Sequence, residues 1–331
     1  MGTVCHAVLA SATAGFFDNV SLEQLPGAFE SLWCSQITKE EESARHHPLE
    51  QHFGNADGWP FYQLKRALTY RSIMRVIEAR RLALHGQSAA AVTQPAVERQ
   101  YVGFGGRLRG RADHVIRRSG GLEIEDYKTG AIFEVAEDGP GSIKEAYQRQ
   151  LLLYAALHWD NTGSWPTTAS VTSLRGERAT ISVDPAEALC VVQETLALLD
   201  AYNSQVEAGA SIEQLASASP HSCIHCPYKP MCEPFWDTID SGWEMEGLAY
   251  VAGIVNTVDD FQATGRTLGM NITCGNALPG AWRLRNLMSG RFLDLGQVGN
   301  GAHIRIVGAR FANKGTKHDL LPTDYTQLWW L

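Results

Sequence analysis

Three charged residues, Asp113, Asp126 and Lys128, have the types and the spacing to form a catalytic centre. Residues 107–117 and 122–127 are predicted to be adjacent antiparallel strands joined by a tight turn, so Asp113 and Asp126 can reach one site. Asp126 and Lys128 are two positions apart and therefore lie on the same face of their strand. Two carboxylates and one ammonium group make a poor hydrophobic core. They can hold a divalent cation and orient water, although a surface ion pair on an edge strand would show the same residues.

Phosphodiester hydrolysis is a reaction that this set of groups suits. Mg²⁺ and Mn²⁺ are hard cations that prefer carboxylate and backbone carbonyl oxygens as ligands. Cleavage of the ester needs an activated water and neutralisation of the charge that develops on the phosphate oxygens, and a divalent cation supplies both. The ammonium of Lys128, placed beside the cation, could have its pKa lowered and help to orient or deprotonate that water.

The elements around these residues predict an α/β domain over residues 1–240. Hydrophobic periodicity indicates helices before and after a three-stranded meander, and Asp184 followed by Pro185 is a typical start for the last helix. The helices are predicted over residues 3–14, 21–45, 61–85, 142–159 and 185–207, and the strands over residues 97–104, 107–117, 122–127, 168–174 and 179–183.

Beyond residue 240 the pattern changes to short strand-like pieces separated by glycines. Several short strands over a segment of this length predict a second, small β domain over residues 241–331, a barrel of the OB-fold kind. The clearest of these strands are predicted over residues 281–288, 291–298, 302–311 and 325–331.

Charge is distributed unevenly along the chain. The formal net charge is -8, which taken alone argues against a nucleic-acid ligand. Residues 99–118, however, contain six arginines and one acid, a balance of +5, and residues 281–318 contain seven basic residues and one acid, a balance of +6. The remainder must carry -19 to reach -8. Phosphate attraction depends on the local field, so basic surfaces on an acidic body are compatible with DNA binding, as are ordinary solvated strand edges.

Composition excludes several other classes of protein. Apolar residues make up 44% and charged residues 19% of the chain, an ordinary globular composition that argues against wholesale disorder. No apolar run approaches the roughly 20 residues that cross a bilayer. The N-terminus lacks the basic-then-apolar pattern of a signal peptide. We therefore expect a soluble, cytoplasmic protein without a membrane partner.

Four short motifs follow one another along the chain. They are Gly-x-x-x-His at residues 2–6, Gly-x-x-Asp at 110–113, Asp-Tyr-Lys-Thr-Gly at 126–130 and Gln-x-x-x-Tyr at 150–154. In this order they resemble the RecB-like branch of the PD-(D/E)XK nuclease superfamily, which includes the nuclease domains of RecB and AddB and the nuclease of CRISPR adaptation. The resemblance implies a restriction-endonuclease-like mixed sheet flanked by helices, and a deoxyribonuclease that uses Mg²⁺ or Mn²⁺.

The resemblance also implies a role for individual residues. Lys128 would be the catalytic lysine, and Gln150 and Tyr154, one helical turn apart, would support the site or touch DNA. For Gln150 and Tyr154 the alternative is ordinary packing. For His6 the alternative is a histidine on the helix that binds no metal. The implied metal ligands are His6, Asp113, Asp126 and the backbone carbonyl of Tyr127.

Three of the seven cysteines form a regular group, Cys223-x2-Cys226-x5-Cys232. The cysteines are too few and too uneven for a secreted disulfide framework, so the group indicates metal chemistry in a reducing compartment. Thiolates at this spacing bind zinc or an iron–sulfur cluster. Zinc held by the group together with His221 or His225 is therefore one interpretation, and an iron–sulfur cluster is the other.

Some members of the RecB-like branch hold a 4Fe-4S cluster with such a triplet and one distant N-terminal cysteine, and this chain is similar to that subgroup. The resemblance implies that residues 221–236 staple the two ends of the nuclease domain together. The distant cysteine usually precedes Gly-x-x-x-His, whereas this sequence starts at that motif, so Cys34 becomes the expected fourth ligand. A missing upstream segment, or a ligand from another polypeptide, are the alternatives.

Two basic surfaces are predicted to contact DNA, and the barrel would favour single strands. The functional hypothesis is a metal-dependent DNA nuclease that acts on single-stranded or end-containing DNA in repair, recombination or defence against phages and plasmids. The alternatives are a non-catalytic DNA-binding or scaffolding subunit of a helicase–nuclease or defence complex, and the nuclease subunit of a larger assembly with a helicase. The DNA-binding residues are predicted to be Arg109, Arg111, Arg283, Arg285 and Arg305.

Overall fold

The computed structural model describes residues 1–47, 49–50, 55–85, 96–118, 120–134, 141–224, 226–261, 265–288, 292, 295, 298–312 and 318–331. The chain forms two compact units. The first unit comprises Met1–Glu40 and Gln63–Ser204, and the second comprises Glu41–Tyr62 and Gln205–Leu331. The second unit thus includes the cysteine segment, which the sequence had placed with the nuclease domain. The division at residue 240 stays a prediction.

A mixed sheet forms the centre of the first unit. Its strand order is β1-β2-β3-β4-β5. Strands β1, β2 and β3 are antiparallel neighbours, β3 and β4 run parallel, and β5 is antiparallel to β4. The predicted meander and the two further strands are therefore present within a few residues of their predicted bounds. These bounds are β1 Ala96–Gly103, β2 Leu108–Arg118, β3 Gly121–Lys128, β4 Thr168–Ser173 and β5 Arg178–Ser182.

Long helices accompany this sheet. Helix α4 packs its apolar face on the strands, where Leu151 and Leu157 join a buried cluster with Ile124 and Val171. The helix ends because Gly163 adopts a left-handed conformation and its N–H donates to the Trp159 carbonyl at 2.7 Å. The helices are α1 Gly2–Thr13, α2 Leu25–Arg45, α3 Tyr62–His85, α4 Glu145–Thr162 and α5 Pro185–Glu207.

The second unit contains a closed five-stranded β-barrel preceded by short helices. The strands β6 Leu248–Phe261, β7 Gly265–Gly275, β8 Gly280–Leu287, β9 His303–Ala312, β10 Asp319–Leu321 and β11 Gln327–Trp330 follow the helices α6 Ile212–Leu215, α7 Pro220–Cys223 and α8 Glu233–Thr238. The sheet order is β10-β8-β7-β6-β9-β11, and pairing of β10 with β9 closes the barrel. The β8–β10 pair is parallel, and the others are antiparallel.

The predicted strand over residues 291–298 is not found where the structure can test it. Residues 292, 295 and 298 are described and lie outside any strand, and the others of that segment are outside the described residues. Among the helices of the described residues, none combines the length and the apolar character that crossing a bilayer requires.

Candidate active site

One half of the candidate site lies between β3 and α4. The ammonium of Lys128 lies 2.6 Å from Oδ2 of Asp126 and donates to Oε1 of Gln150 at 2.6 Å. Nε2 of Gln150 in turn donates to the hydroxyl of Tyr154 at 3.0 Å. The ring of Tyr147 lies on the same helix, with its centroid 5.0 Å from Nζ of Lys128. The contacts run without a break from the buried carboxylate to the helix, and they join residues of two of the four motifs.

The other half of the site lies where β2 and β3 separate. The last residue pair in the register of these strands is His114 with Glu125. Just beyond it, Oδ2 of Asp113 accepts a hydrogen bond from the backbone N–H of Tyr127 at 2.7 Å. Nδ1 of His6, on α1, lies 3.2 Å from the same oxygen. The Asp113 carboxylate therefore accepts the hydrogen bond that a backbone carbonyl of β2 would otherwise accept from β3. It is held between β3 and α1.

One motif glycine explains why α4 can approach the strands. A Cβ atom on Gly110 would lie 2.9 Å from Cε1 of Tyr154 and 3.0 Å from Cδ1 of Leu157, closer than packed side chains allow. A Cβ on Gly2 would lie 3.8 Å from Oγ1 of Thr129, an ordinary contact distance, so the start of α1 lies beside the end of β3 without requiring a glycine. The glycine of Gly-x-x-Asp is thus needed for the packing of the tyrosine of Gln-x-x-x-Tyr.

The carboxylate of Asp126 is held in an unfavourable environment. Its side chain is only 5% exposed. Burial raises the pKa of Asp126; the Lys128 ammonium opposes that shift and the nearby Asp113 carboxylate reinforces it. Within the described part of the chain, Oδ2 of Asp126 has the lysine ion pair but no hydrogen bond of ordinary geometry. A buried acceptor that is not fully satisfied is costly to keep, and such groups concentrate at functional sites.

The donors at this site fit a hard divalent cation. Two carboxylates and an imidazole, from Asp113, Asp126 and His6, are ligands that such ions accept, and the unsatisfied oxygen of Asp126 would gain a partner. As they stand, no three His, Cys, Asp or Glu side chains of the described residues are gathered closely enough to hold a metal ion. The carboxylates contact the ring of His6 and the ammonium of Lys128 instead.

A sequence model of the PD-(D/E)XK nuclease superfamily matches residues 1–233, which is more than half of the 331-residue chain. The chain belongs to the PD-(D/E)XK nuclease superfamily. It is therefore a nuclease by family, which agrees with the expectation from its motifs, and the mixed sheet is compatible with that family. No curated protein matches the chain.

Four of the five arginines predicted to bind DNA in this PD-(D/E)XK nuclease have their side chains at least partly exposed. Arg109 and Arg111 are exposed on β2, and Nη1 of Arg111 lies 3.7 Å from Glu98. Arg283 and Arg285 on β8 are nearly half exposed, and both are ion-paired with Asp319 on β10. Burial alone would raise the pKa of Asp319, but the hydrogen bonds from the two arginines outweigh it and hold the pKa below its usual value.

The fifth predicted arginine, Arg305, is placed differently. Its side chain is 8% exposed. It donates to the Pro230 carbonyl at 3.0 Å and to Glu233 at 2.6 Å, and its guanidinium lies over the ring of Trp236. The expectation that Arg305 contacts phosphate is therefore corrected. It is a buried residue that joins β9 to α8 and to Pro230 before it, because Pro230 offers a carbonyl and α8 offers the Glu233 carboxylate and the Trp236 ring.

The cysteines of this nuclease are all free thiols. Cys34 is exposed on α2 in the first unit and contacts Glu30 at 3.5 Å. Cys223, Cys226 and Cys232 lie in the second unit and range from buried to half-buried. As found for the carboxylates, the described cysteines and histidines form no group arranged to hold a metal. The exposed His221 is described, whereas His225, the other zinc candidate, is outside the described residues.

A group of buried charges on the opposite face of β3 was not predicted from the sequence. Glu123 and Glu125 are both about 5% exposed, and both pair with Arg178 of β5, at 2.6 Å in the case of Glu125. Thr172 donates to Glu125 at 2.9 Å, and Nδ1 of His114 lies 3.7 Å away. Burial tends to raise the pKa of Glu125, but His114, Arg178 and Thr172 together lower it below its usual value. The alternation of acids in β3 is the only signal in the sequence.

Proposed function

We propose that the chain is a deoxyribonuclease of the RecB-like branch that depends on Mg²⁺ or Mn²⁺. The observation that supports this most strongly is that residues of all four motifs contribute to one site. His6 meets Asp113 at one side, and Asp126 reaches Tyr154 through Lys128 and Gln150 at the other. A scaffold that had lost its activity would not be expected to keep both carboxylates, the lysine and its partners in contact.

In the proposed reaction His6, Asp113, Asp126 and the Tyr127 carbonyl would hold the cation. A cation bound there would lower the pKa of a water and neutralise charge on the phosphate oxygens. Lys128 has three N–H bonds, and its contacts with Asp126 and Gln150 aim the ammonium at the carboxylate. From there it can orient the attacking water and donate to a developing oxyanion.

DNA with single-stranded regions is the proposed substrate. In order around the barrel the strands are β6, β7, β8, β10 and β9, with the β8–β10 pair parallel. This order is compatible with the five-stranded Greek-key barrel of OB-folds, which bind oligonucleotides. Arg283 and Arg285 on β8 are candidates for phosphate contacts there, and Arg109 and Arg111 are candidates near the catalytic strands.

A 4Fe-4S cluster on Cys34, Cys223, Cys226 and Cys232 remains part of the proposal, with zinc at the triplet as the alternative. The supporting observation is the regular spacing of the triplet. A visible absorption band that bleaches with dithionite would identify the cluster, since zinc is colourless. A helicase partner and a place in repair, recombination or defence are likewise proposals.

The decisive experiment is cleavage of end-labelled linear and circular DNA, single- and double-stranded, with matched RNA. Each substrate is incubated with Mg²⁺, Mn²⁺ or EDTA and with wild type, Lys128→Ala or Lys39→Ala protein. Lys39 is an exposed lysine on α2 and serves as the matched control. We expect cleavage of DNA by wild type and Lys39→Ala only with a divalent ion, and a loss of about 100-fold or more in Lys128→Ala.

Two results would count against the proposal. Folded Lys128→Ala protein that cuts as fast as wild type would remove the assigned site. Tight DNA binding without cleavage in either metal would favour the scaffolding subunit instead.

A further inference from the structure

A second site is suggested by a cavity in the second unit that none of the residues proposed for phosphodiester cleavage lines, although Cys226 of the cysteine triplet contributes to its wall. Its volume is about 320 Å³, within the range of roughly 300–1,000 Å³ found for small-molecule sites. Lys229, Glu246, Tyr250, Tyr325 and Gln327 supply its polar and aromatic lining. The cavity is therefore bounded by ring faces and hydrogen-bonding groups rather than by aliphatic side chains alone.

Tyr325 is held in place at this cavity by hydrogen bonds and a ring contact, although the residue is 53% exposed. The hydroxyls of Thr323 and Thr326 both donate to the Gly308 carbonyl, at 2.6 and 3.0 Å. The N–H of Tyr325 donates to Oγ1 of Thr323 at 3.1 Å, and Phe61 packs against the tyrosine ring with centroids 5.3 Å apart. A large exposed ring that is already fixed loses little entropy when a flat ligand stacks on it.

The backbone around the cavity is strained at two positions. Phe61 and Glu246 have φ values of 57° and 53°, in the left-handed region that non-glycine residues rarely adopt. Such conformations persist only where the surrounding structure holds them, and they are found preferentially at ligand sites. Phe61 contacts the ring of Tyr325, and Glu246 lines the same cavity as Tyr325.

The charges of the cavity disfavour a phosphate. The ammonium of Lys229 is buried and already donates to the carbonyls of Cys223 and Ile224, at 2.7 and 2.9 Å. Glu246 is exposed at the same cavity, and its carboxylate would repel an anion. A carboxylate accepts hydrogen bonds from exocyclic amino groups, which cytosine, adenine and guanine carry and thymine lacks. Gln327 can add its amide nitrogen, because its oxygen accepts from Trp329 at 3.2 Å.

We infer that this cavity binds one unpaired nucleobase that carries an exocyclic amino group, stacked on Tyr325 and hydrogen-bonded to Glu246. The inference rests on the proposed function, because it assumes that single-stranded DNA is the substrate. It extends that function by placing a base-selective contact in the second unit, in the connections that precede β6 and β11, rather than on the β7 and β8 surface.

The test measures binding of fluorescent oligo(dC) and oligo(dT) of equal length to full-length Lys128→Ala protein without metal. We expect tighter binding of oligo(dC), by about fivefold or more. Glu246→Gln should reduce that preference to less than about twofold, because an amide is a weaker acceptor than a carboxylate. Glu244→Gln, an exposed acid in the same segment, is the matched control and should keep the preference.

The stacking contact is tested in the same assay. Tyr325→Leu should weaken binding of both oligonucleotides by about tenfold, and Tyr325→Phe should restore it because the ring is kept. Tyr202→Leu, an exposed tyrosine on α5, controls for loss of a surface ring. Melting temperatures of all variants exclude unfolding as the cause. Wild-type affinity in Tyr325→Leu, or equal base preference in Glu246→Gln and Glu244→Gln, would overturn the inference.

Failure of this inference is distinguishable from failure of the nuclease proposal. Absence of cleavage by the wild type, with binding that still depends on Tyr325 and Glu246, would refute the nuclease activity and leave the base site standing. Metal-dependent cleavage, with binding that is indifferent to both residues, would do the reverse. Binding of a peptide instead of DNA at Tyr325 would also overturn the base site.

Discussion

The two faces of strand β3 both carry buried acids, yet they treat them in opposite ways. Glu125, on one face, is held by Arg178 and Thr172, and its pKa is lowered. Asp126, on the other face, has Lys128 as its close cationic partner, and its pKa is raised. Consecutive residues of one strand therefore differ in whether the protein stabilises their charged form.

This difference separates a structural role from a functional one. A carboxylate with several partners in a buried network fixes the strand, and removing it leaves other charges unpaired. A carboxylate that is buried, next to another acid and short of hydrogen bonds destabilises the fold unless a ligand compensates it. The face with the raised pKa is the one on which we propose that a cation and a phosphate bind, and it is the face that points at α4.

The largest effect should come from neutralising Asp126. We call its side of β3, which also carries Lys128, the functional face, and the side that carries Glu125 the structural face. Asp126→Asn keeps the size of the side chain but removes a charged ligand, so DNA cleavage should fall by about 100-fold or more. Glu125→Gln alters the neighbouring acid on the other face and should keep most of the activity at temperatures where it is folded. Cleavage rates measured beside circular dichroism would show this contrast, and equal losses in the two variants would erase the distinction between the faces.

That Asp126 and Lys128 share one face of β3 was predictable from the sequence, because the alternation of side chains along a strand is local information. Asp126 and Lys128 are two residues apart, and that alone puts them on one side of a strand. Helical periodicity alone does not say on which face of the sheet α4 packs. That Gln150 and Tyr154 would lie at the site was therefore expected only from the resemblance of the ordered motifs to a known family. Glu125 and Arg178 could not be paired in advance, because they are brought together only by the order β3-β4-β5 of the sheet.

The second unit was harder to predict for similar reasons. Strands β6 and β7 contain interior glycines, which in the sequence indicate the end of a strand. In the structure Gly253 instead allows an irregular pairing of the two strands, because a Cβ there would lie 2.2 Å from the Asn271 carbonyl oxygen. Arg305 looked like a surface residue among other arginines. Its burial depends on Pro230 and Glu233, which are far away in the sequence.

The next largest effect should be on stability, and it should fall on the structural face. Glu125→Gln leaves Arg178 without one of its carboxylates, and because Arg178 is about a third exposed, we expect a loss of about 1–3 kcal/mol in the free energy of unfolding. Urea unfolding measures the loss. Glu78→Gln, at an exposed position in the middle of α3, is the control and should change stability by less than about 0.5 kcal/mol. A Glu125→Gln protein as stable as this control would show that the network does not hold the strand.

The pH dependence of stability should have opposite signs on the two faces. The raised pKa of Asp126 means that its ionisation weakens the folded state at neutral pH, and that this penalty is relieved as pH falls through the raised pKa towards the ordinary value of about 3.9. The lowered pKa of Glu125 means that its contribution is present above the ordinary value of about 4.3 and is lost as pH falls through the lowered pKa.

In EDTA, Asp126→Asn should therefore melt above wild type at neutral pH, with the gain shrinking in acid. Glu125→Gln should melt below wild type at neutral pH, with the deficit shrinking in acid. The measurement is the melting temperature of wild type, Asp126→Asn and Glu125→Gln, recorded from neutral pH into acid. The metal must be absent, because a bound cation would favour the ionised form of Asp126. For each variant, the melting temperature minus that of wild type is plotted against pH. Differences of the same sign for both variants would contradict the assigned pKa directions.

The smallest effect should come from Tyr154, the last residue in the series of contacts that starts at Asp126 and passes through Lys128 and Gln150. Burial, reinforced by the charge of Asp126, raises the pKa of Tyr154 to about 12, so its hydroxyl is protonated at neutral pH and accepts from Gln150. Tyr154→Phe removes this acceptor and frees the amide that directs Oε1 of Gln150 at Lys128. One neutral hydrogen bond contributes about 0.5–1.5 kcal/mol, so cleavage should slow by about two- to tenfold. Tyr202→Phe on α5 should cut at the wild-type rate. A Tyr154→Phe loss as large as that of Asp126→Asn would mean that the hydroxyl itself touches the reacting phosphate, and the functional face would then extend to α4.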